Sequence, residues 1–188
     1  MTLTEWGIWL FCALLVGMAK SGVKGLGMLL VPILAVTFGG KPSTGMLLPL
    51  LLMADVFAVR YYRRDADWSY VLKLIPAAAV GVLIAVWVGQ SMNETTFRYI
   101  MAVIIIGGLL LLILQERRPP EARFIQHPVV AGLAGLAGGF TTMIGNAGGP
   151  VMSVYLLATR LPKKEFIGTG AWFFLLINLF KLPFHIWV

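Results

Sequence analysis

Two lysines interrupt the first long apolar stretch of the chain, within the segment GMAKSGVKGLG at residues 17–27. Lys20 and Lys24 lie about one helical turn apart, and the glycines around them allow the backbone to turn and to approach a ligand closely. If the helix breaks here, the two ammonium groups and the N–H groups that begin the next helix together attract an anion. The alternative is that the lysines only snorkel to an interface.

One carboxylate, Asp55, lies inside another apolar block. A buried charge is costly unless it is paired, so Asp55 either pairs with Lys20 or Lys24 or serves as a proton-coupling site. Asn178 lies in the middle of the last apolar block and cannot titrate. Lys181 follows it in the same block and is either a further cavity charge or a snorkelling one.

A second glycine-rich segment, MIGNAGGP at residues 143–150, also interrupts an apolar stretch. We expect Asn146 at the tip of a second helix break, where small polar residues either contact a substrate or only hold helices together. The predicted substrate-binding residues are Lys20, Ser21, Gly22, Lys24, Gly25, Thr142, Asn146, Gly148 and Gly149, and those predicted for coupling or charge pairing are Asp55 and Asn178.

The composition is that of a membrane protein. The 188 residues are 59% hydrophobic and 12% charged, with a mean hydropathy of +0.88, whereas a soluble domain typically carries about 25% charged residues. The apolar residues run in long blocks, of which 71–88 and 99–114 approach the roughly 20 residues that a membrane span needs. We therefore predict an all-α fold, a polytopic helical membrane protein.

Several classes of function are disfavoured. The net charge of +7 lies in short loops between apolar blocks, where it orients a membrane protein rather than binding nucleic acid. The single cysteine, Cys12, leaves no disulfide or two-cysteine metal site within one chain. The chain has no H-E-x-x-H, G-x-S-x-G or P-loop motif. We expect no enzyme activity, no catalytic residue, no cofactor and no bound metal.

The two halves of the chain resemble each other at an offset of about 122 to 123 residues. At this offset Gly27 falls on Gly149 and Asp55 falls on Asn178. Each copy begins with an interrupted apolar segment, which is followed by a short turn and by a span with a polar residue in its middle. This order of elements predicts an internal duplication.

The duplication predicts the domain organisation. The first repeat, 1–114, contains an interrupted segment at 7–38 and spans at 46–59, 70–89 and 99–114. A linker follows at 115–127. The second repeat, 128–188, contains an interrupted segment at 128–159 and one span at 166–188. The second copy stops two spans short of the first. We therefore expect a complete chain to continue beyond Val188.

Basic residues gather in three segments, 60–69, 115–127 and 160–165. Such loops normally face the cytoplasm, and all three do so if each interrupted segment enters and leaves the membrane on one side as a re-entrant hairpin. The two repeats are then inverted, as is typical of secondary transporters. If each segment instead crosses once, the repeats are parallel. We predict the hairpin arrangement, in the cell inner (plasma) membrane, with these three segments cytoplasmic.

The segments GVKGLGMLLVPIL and IGNAGGPVMSVYL resemble the twice-repeated glycine-rich signature of the sulfite exporter TauE/SafE permeases. The first copy keeps the family's LLVP at 29–32 but has Leu26 where a middle glycine is usual, and the second has Pro150 in place of a later proline. The glycines kept are Gly25, Gly27, Gly148 and Gly149. The resemblance implies a permease of about eight spans that moves sulfite, sulfonates and related sulfur-containing anions.

These observations lead to two hypotheses from different classes. The first is a membrane permease for small anions, with sulfur oxyanions or organosulfonates as substrates. The alternative is a non-transporting scaffold or assembly subunit, in which an intramembrane Lys/Asp pair is purely structural. The predicted partners are a small anionic substrate and the lipid bilayer; proton coupling and a homo-oligomer are open options, and nucleic acid is not expected.

Overall fold

The computed structural model describes residues 2–20, 26–117 and 127–187. Of these residues 90% are helical and none is in a strand. The helices are α1 (Leu3–Lys20), α2 (Leu26–Phe38), α3 (Gly40–Tyr62), α4 (Trp68–Gln90), α5 (Glu94–Arg117), α6 (Pro128–Gly145), α7 (Gly148–Ala158) and α8 (Lys163–Trp187). Four residues of the predicted site, Ser21, Gly22, Lys24 and Gly25, lie outside the described residues, as does the side chain of Lys20.

Five helices, α3, α4, α5, α6 and α8, are long and apolar enough to cross a membrane. Helix α5 is the least covered by the rest of the chain, and large apolar side chains such as Val103, Ile106 and Leu110 are exposed along it. In a bilayer this exposure is favourable because the side chains meet hydrocarbon. The prediction of an all-α, polytopic helical membrane protein is confirmed.

The helices extend beyond the predicted spans, most clearly at the start of α3. The sequence predicts a turn in GGKPST before a span at 46–59, yet only Gly39, at φ 100°, lies outside the helices. Pro42 fits the first turn of α3 because a proline there forfeits no helical hydrogen bond. The carboxylate of Glu94 accepts hydrogen bonds from the N–H groups of Gly40 and Lys41. These contacts supply a cap from a distant helix, which the local sequence does not reveal.

Helices α3 and α8 pack antiparallel along their whole length. Gly45 lies beside His185 near one end, and Gly168 lies against Tyr62 near the other. Between these contacts Asn178 donates a hydrogen bond to Asp55, at a sequence separation of 123 residues. Adding 123 to the residue number converts Gly45 to Gly168 and Tyr62 to His185. The contact of Gly45 with His185 at one end therefore corresponds, residue for residue, to the contact of Gly168 with Tyr62 at the other end. This is the pattern that inverted copies related by a two-fold axis produce.

The short helices α2 and α7 begin at the same level along α5. Met28, the third residue of α2, and Pro150, the third residue of α7, both lie against Gly108 near the middle of α5. Met28 and Pro150 are related by the shift of 122 residues. The first turns of α2 and α7 therefore both lie near the middle of α5.

The chain reverses direction between α6 and α7. Gly138 of α6 lies against Met152 of α7, and these residues flank the break at similar distances in sequence. In the first half, the indole N–H of Trp9 in α1 donates to the carbonyl oxygen of Met46 in the first part of α3 (3.3 Å). Since α2 ends where α3 begins, this bond places the first part of α1 near the end of α2, as in a helical hairpin.

Glycines allow α4 and α6 to approach closely. A Cβ atom at Gly139 would overlap the carbonyl oxygen of Ala78, and one at Gly135 would lie 2.6 Å from the carbonyl oxygen of Leu74. In membranes the hydrophobic effect does not drive helices together, so close backbone contact between small residues supplies much of the attraction. This contact holds α6, and with it the helix break, against the span α4.

We predict that Gly139→Ala lowers the free energy of unfolding by about 1–3 kcal/mol, the usual cost of overpacking, because the added methyl group meets backbone that cannot move aside. Thermal unfolding of the purified protein in detergent measures the effect. Gly132→Ala on the same helix is the matched control, since a Cβ there meets no atom within 4 Å. Equal losses of stability in the two variants would contradict this packing.

Candidate functional site

The break between α6 and α7 is centred on Asn146. This residue has φ 48° and ψ 26°, a left-handed conformation that Asn adopts more readily than most residues. The backbone N–H groups of Asn146 and Ala147 donate to the carbonyl oxygens of Thr142 (3.0 Å) and Thr141 (3.2 Å), which closes the end of α6. Helix α7 then begins at Gly148 without a side-chain cap.

Lys181 of α8 lies directly beside this break and is completely buried, with 0% of its surface exposed. Its Nζ donates to Oδ1 of Asn146 (2.7 Å), to the carbonyl oxygen of Thr142 (2.8 Å) and to Oδ1 of Asn178 (3.2 Å). The hydroxyl oxygen of Thr142 lies further away, at 3.4 Å. An ammonium group has three N–H donors, and three acceptors from the protein occupy them. A cation is also favourable here because the carbonyl groups that end α6 carry negative partial charge.

Asn178 links this ammonium group to the buried carboxylate of Asp55. Its Nδ2 donates to Oδ2 of Asp55 (2.7 Å), while its Oδ1 accepts from Lys181. Only this orientation of the carboxamide satisfies both neighbours, because a carboxylate only accepts and an ammonium group only donates. Asp55, like Lys181, has no exposed surface. A positive and a negative charge thus share one bridging amide in a low-dielectric interior.

Asn146 also connects the break to the first half of the chain. Its Nδ2 donates to the carbonyl oxygen of Thr44 in α3 (3.1 Å). We call the group formed by Thr44, Asp55, Thr142, Asn146, Asn178 and Lys181 the polar cluster. Its members come from α3, α6, α8 and the break, and buried hydrogen-bonded networks of this kind specify one arrangement of the helices around them.

The N-terminus of α7 adjoins the polar cluster. Gly148 is buried, and a Cβ there would lie 2.9 Å from the carbonyl oxygen of Gly138 and equally close to Thr142, so only glycine fits. Gly149 differs, since a Cβ there would meet no atom within 4 Å. The first N–H groups of a helix have no acceptor within the helix and carry positive partial charge. Open space at Gly149 therefore lies beside an electropositive helix end.

The structure brings the predicted residues of the second half together. Thr142, Asn146 and Asn178 lie in the polar cluster with Asp55, and Gly148 and Gly149 begin the helix beside it. The predicted residues of the first half lie outside the described residues: Ser21, Gly22, Lys24, Gly25 and the side chain of Lys20.

Lys181 is the residue that sequence reasoning left open, and it lies at the centre of the cluster as a buried charge rather than a snorkelling one. The spacing of Asn178 and Lys181 was the available signal, because residues three apart share one face of a helix. Nothing in the sequence indicated that Thr44 belongs to the cluster, because it contributes a backbone carbonyl group, which every residue has. The neighbouring Thr141 is not a member of the polar cluster. Its hydroxyl donates to the carbonyl oxygen of Ala137 in its own helix (2.7 Å).

The donors and acceptors of the site suit an anion better than a metal ion. In the described parts of the chain, no three His, Cys, Asp or Glu side chains lie close enough to hold a metal. The polar cluster instead combines one ammonium group, one carboxylate that is already hydrogen-bonded to Asn178, carboxamides and a hydroxyl next to a helix N-terminus. Anionic oxygen atoms are the usual partners of such groups.

A helical membrane protein with a broken helix and buried charges between its spans has the features of a membrane transporter. The chain belongs to the sulfite exporter TauE/SafE family, whose model matches residues 9–188. This confirms the resemblance of the glycine-rich segments. Members of the family are membrane transporters for sulfite and related anions rather than enzymes. No curated protein and no solved structure matches the chain.

We predict that Asn146→Gly and Asn146→Ala both lower thermal stability in detergent, because each deprives Lys181 of its shortest hydrogen bond. Asn146→Ala should be the less stable of the two by about 1–2 kcal/mol, the cost of a left-handed conformation for a residue with a Cβ. The glycine variant is therefore the matched control for the backbone. Equal stability of the two variants would contradict a left-handed residue at the break.

Proposed function

We propose that this protein is a permease for small anions, with sulfur oxyanions or organosulfonates as substrates. The observation that carries the proposal is the buried ammonium group of Lys181 at the break between α6 and α7, beside the N-terminus of α7. A buried charge in a membrane protein is expensive, and its usual reason is an ion or substrate pathway. The family of the chain agrees with this reading.

The chemistry around α7 favours an anion with several oxygen atoms. Gly149 leaves open space at the helix end, where an oxyanion would meet N–H groups and a positive dipole end. The hydroxyl of Thr142 and the carboxamides of Asn146 and Asn178 are further donors within the same cluster. A sulfonate or sulfite group presents three oxygen atoms and could engage such donors at once.

In this proposal the glycine-rich segment at residues 17–27 supplies the other half of the site. Helix α2 begins at the same depth as α7, since Met28 and Pro150 both lie against Gly108. In this proposal Lys20, Ser21, Gly22, Lys24 and Gly25 face the same substrate from the first repeat. The exchange of contacts between α3 and α8 supports two inverted repeats, each of which begins with a broken hairpin.

The proposed orientation places the basic segments 60–69, 115–127 and 160–165 in the cytoplasm, with the chain in the inner membrane. Gly168, near the start of α8, lies against Tyr62 and against Asp65, three residues further on, so the first and third of these segments lie at one end of the helices. Lys and Arg gather on the cytoplasmic side of membrane proteins.

The scaffold hypothesis also has an observation in its favour. All three N–H donors of Lys181 are satisfied by protein acceptors, as a purely structural lysine would require. The two hypotheses differ in whether any anion binds and crosses, which measurements on the purified protein separate.

We predict that sulfite, thiosulfate or a small sulfonate raises the melting temperature of the purified protein and crosses the membrane of proteoliposomes that contain it. Lys24→Gln should lower this flux about tenfold or more, because a hydrogen bond to a charged group contributes about 1.5–3 kcal/mol. Lys73→Gln is the matched control, since Lys73 is exposed on α4 and stacks on Tyr70. Normal folding of the wild-type protein without stabilisation or flux for any of these anions would favour the scaffold hypothesis.

We predict that cysteines placed at Arg64 and Arg160 react with a membrane-impermeant thiol reagent only from the cytoplasmic side, and that one placed at Ser91 reacts only from the opposite side. All three positions are exposed, and the native Cys12 is buried and can be replaced by alanine as background. Labelling of the Arg64 and Arg160 positions from opposite sides would support a single crossing of 128–159 instead of a hairpin.

A further inference from the structure

We propose that His185 is a further binding residue for the transported anion, and that the N–H group at its Nε2 atom donates a hydrogen bond to an oxygen atom of that anion. This inference rests on the proposed function of the protein. It concerns a side chain near the end of α8 that is not a member of the polar cluster.

The imidazole ring of His185 has an unsatisfied nitrogen atom in the interior. Its Nε2 atom is buried and has no hydrogen-bond partner in the described part of the chain. A buried polar atom without a partner destabilises the folded protein, so such atoms are rare and call for an explanation. A residue that is retained at this cost and holds no other polar group in place is a candidate for ligand binding.

The position of His185 places its ring beside the polar cluster. His185 follows Lys181 by four residues, so the two side chains share one face of α8. On α3 the ring lies next to Gly45, and the preceding residue, Thr44, accepts the hydrogen bond from Asn146. The imidazole therefore adjoins the cluster on the side toward the end of α8.

A second unpartnered N–H group shows why this position matters. Nε1 of Trp172 is also buried without a hydrogen-bond partner among the described residues. Trp172 lies nearer the start of α8 and packs against an apolar cluster formed by Val59, Ala171 and Leu175. An anion has no polar group to meet there, whereas the nitrogen of His185 lies one helical turn from a buried ammonium group.

The donor of His185 differs from those of Lys181 in being available. The N–H groups of Lys181 already have three protein acceptors, so an anion that bonds to this ammonium group has to displace one of them. The Nε2 atom of His185 can donate without the loss of an existing bond, in the tautomer that carries the proton there. Gly45 leaves space for the ring to turn, since the three atoms nearest to a Cβ at Gly45 all belong to His185 and the closest is 3.6 Å away.

The affinity of the purified full-length protein for methanesulfonate tests the assignment, measured in detergent at about pH 8, where an ordinary imidazole is neutral. His185→Leu should weaken binding about tenfold or more, the effect of one hydrogen bond to a charged group. His185→Gln should retain most of the affinity, because its amide nitrogen reaches the position of Nε2. Equal affinity of the wild-type protein and His185→Leu would overturn the inference, and so would a glutamine variant that binds as weakly as the leucine variant.

The melting temperature without anion separates binding from a structural role. His185→Leu should melt at the wild-type temperature or above it, because no hydrogen bond is lost, whereas Asn178→Leu should melt well below it, because Asn178 bonds to Asp55 and Lys181. A fall in His185→Leu as large as that in Asn178→Leu would overturn the inference. Trp172→Phe removes the other unpartnered N–H group of α8 and is the matched control for affinity. A loss of affinity in Trp172→Phe equal to that in His185→Leu would also overturn the assignment.

Failure of the proposed function has a different signature. If neither methanesulfonate nor any other small sulfur anion binds to the folded wild-type protein, the permease hypothesis itself is wrong, and the inference falls with it. Binding by the wild-type protein that His185→Leu leaves unchanged overturns only the role of His185.

Discussion

A buried ammonium group requires an acceptor for each of its three N–H donors, and the arrangement of the second half of this protein depends on meeting that requirement. The acceptors for Lys181 come from the end of α6, from the break residue Asn146 and from Asn178 on the same helix. An unpaired charge at this depth would cost several kcal/mol. The positions of α6, the break and α8 are therefore coupled, and Asn178 extends that coupling to Asp55 on α3.

The contacts between α3 and α8 follow a constant shift in residue number, yet the charges do not follow it. A shift of 123 residues exchanges the end contacts of the two helices and relates Asp55 to Asn178. The same shift takes Lys181 to Ala58, which carries no charge. The apolar segment 7–38 of the first half instead carries Lys20 and Lys24 in the sequence. The contacts between α3 and α8 thus follow this shift while the charges do not, and one carboxylate meets one neutral amide between the two end contacts.

A close backbone contact holds in place the helix from which Thr142 of the polar cluster comes. Gly135 and Gly139 bring α6 against the backbone of α4, where apolar side chains alone would give no preferred distance in lipid. Gly148 likewise permits α7 to fold back on α6 beside Gly138. Glycine in this chain is therefore found in two settings, close packing at Gly139 and Gly148 and open space at Gly149.

The sequence by itself determined the class of the protein. Long apolar blocks predict membrane helices, N-A-G-G after an apolar run predicts a break at Asn146, and the repeated glycine-rich segments identify the family, because each of these signals is local in the chain. The tertiary structure alone decided the partners of Lys181 and the start of α3 at Gly40. Those features depend on groups far away in sequence, such as the Thr142 carbonyl and the Glu94 carboxylate. Local periodicity reports which face of a helix is apolar, whereas the pairing of buried polar groups is settled only when the helices pack.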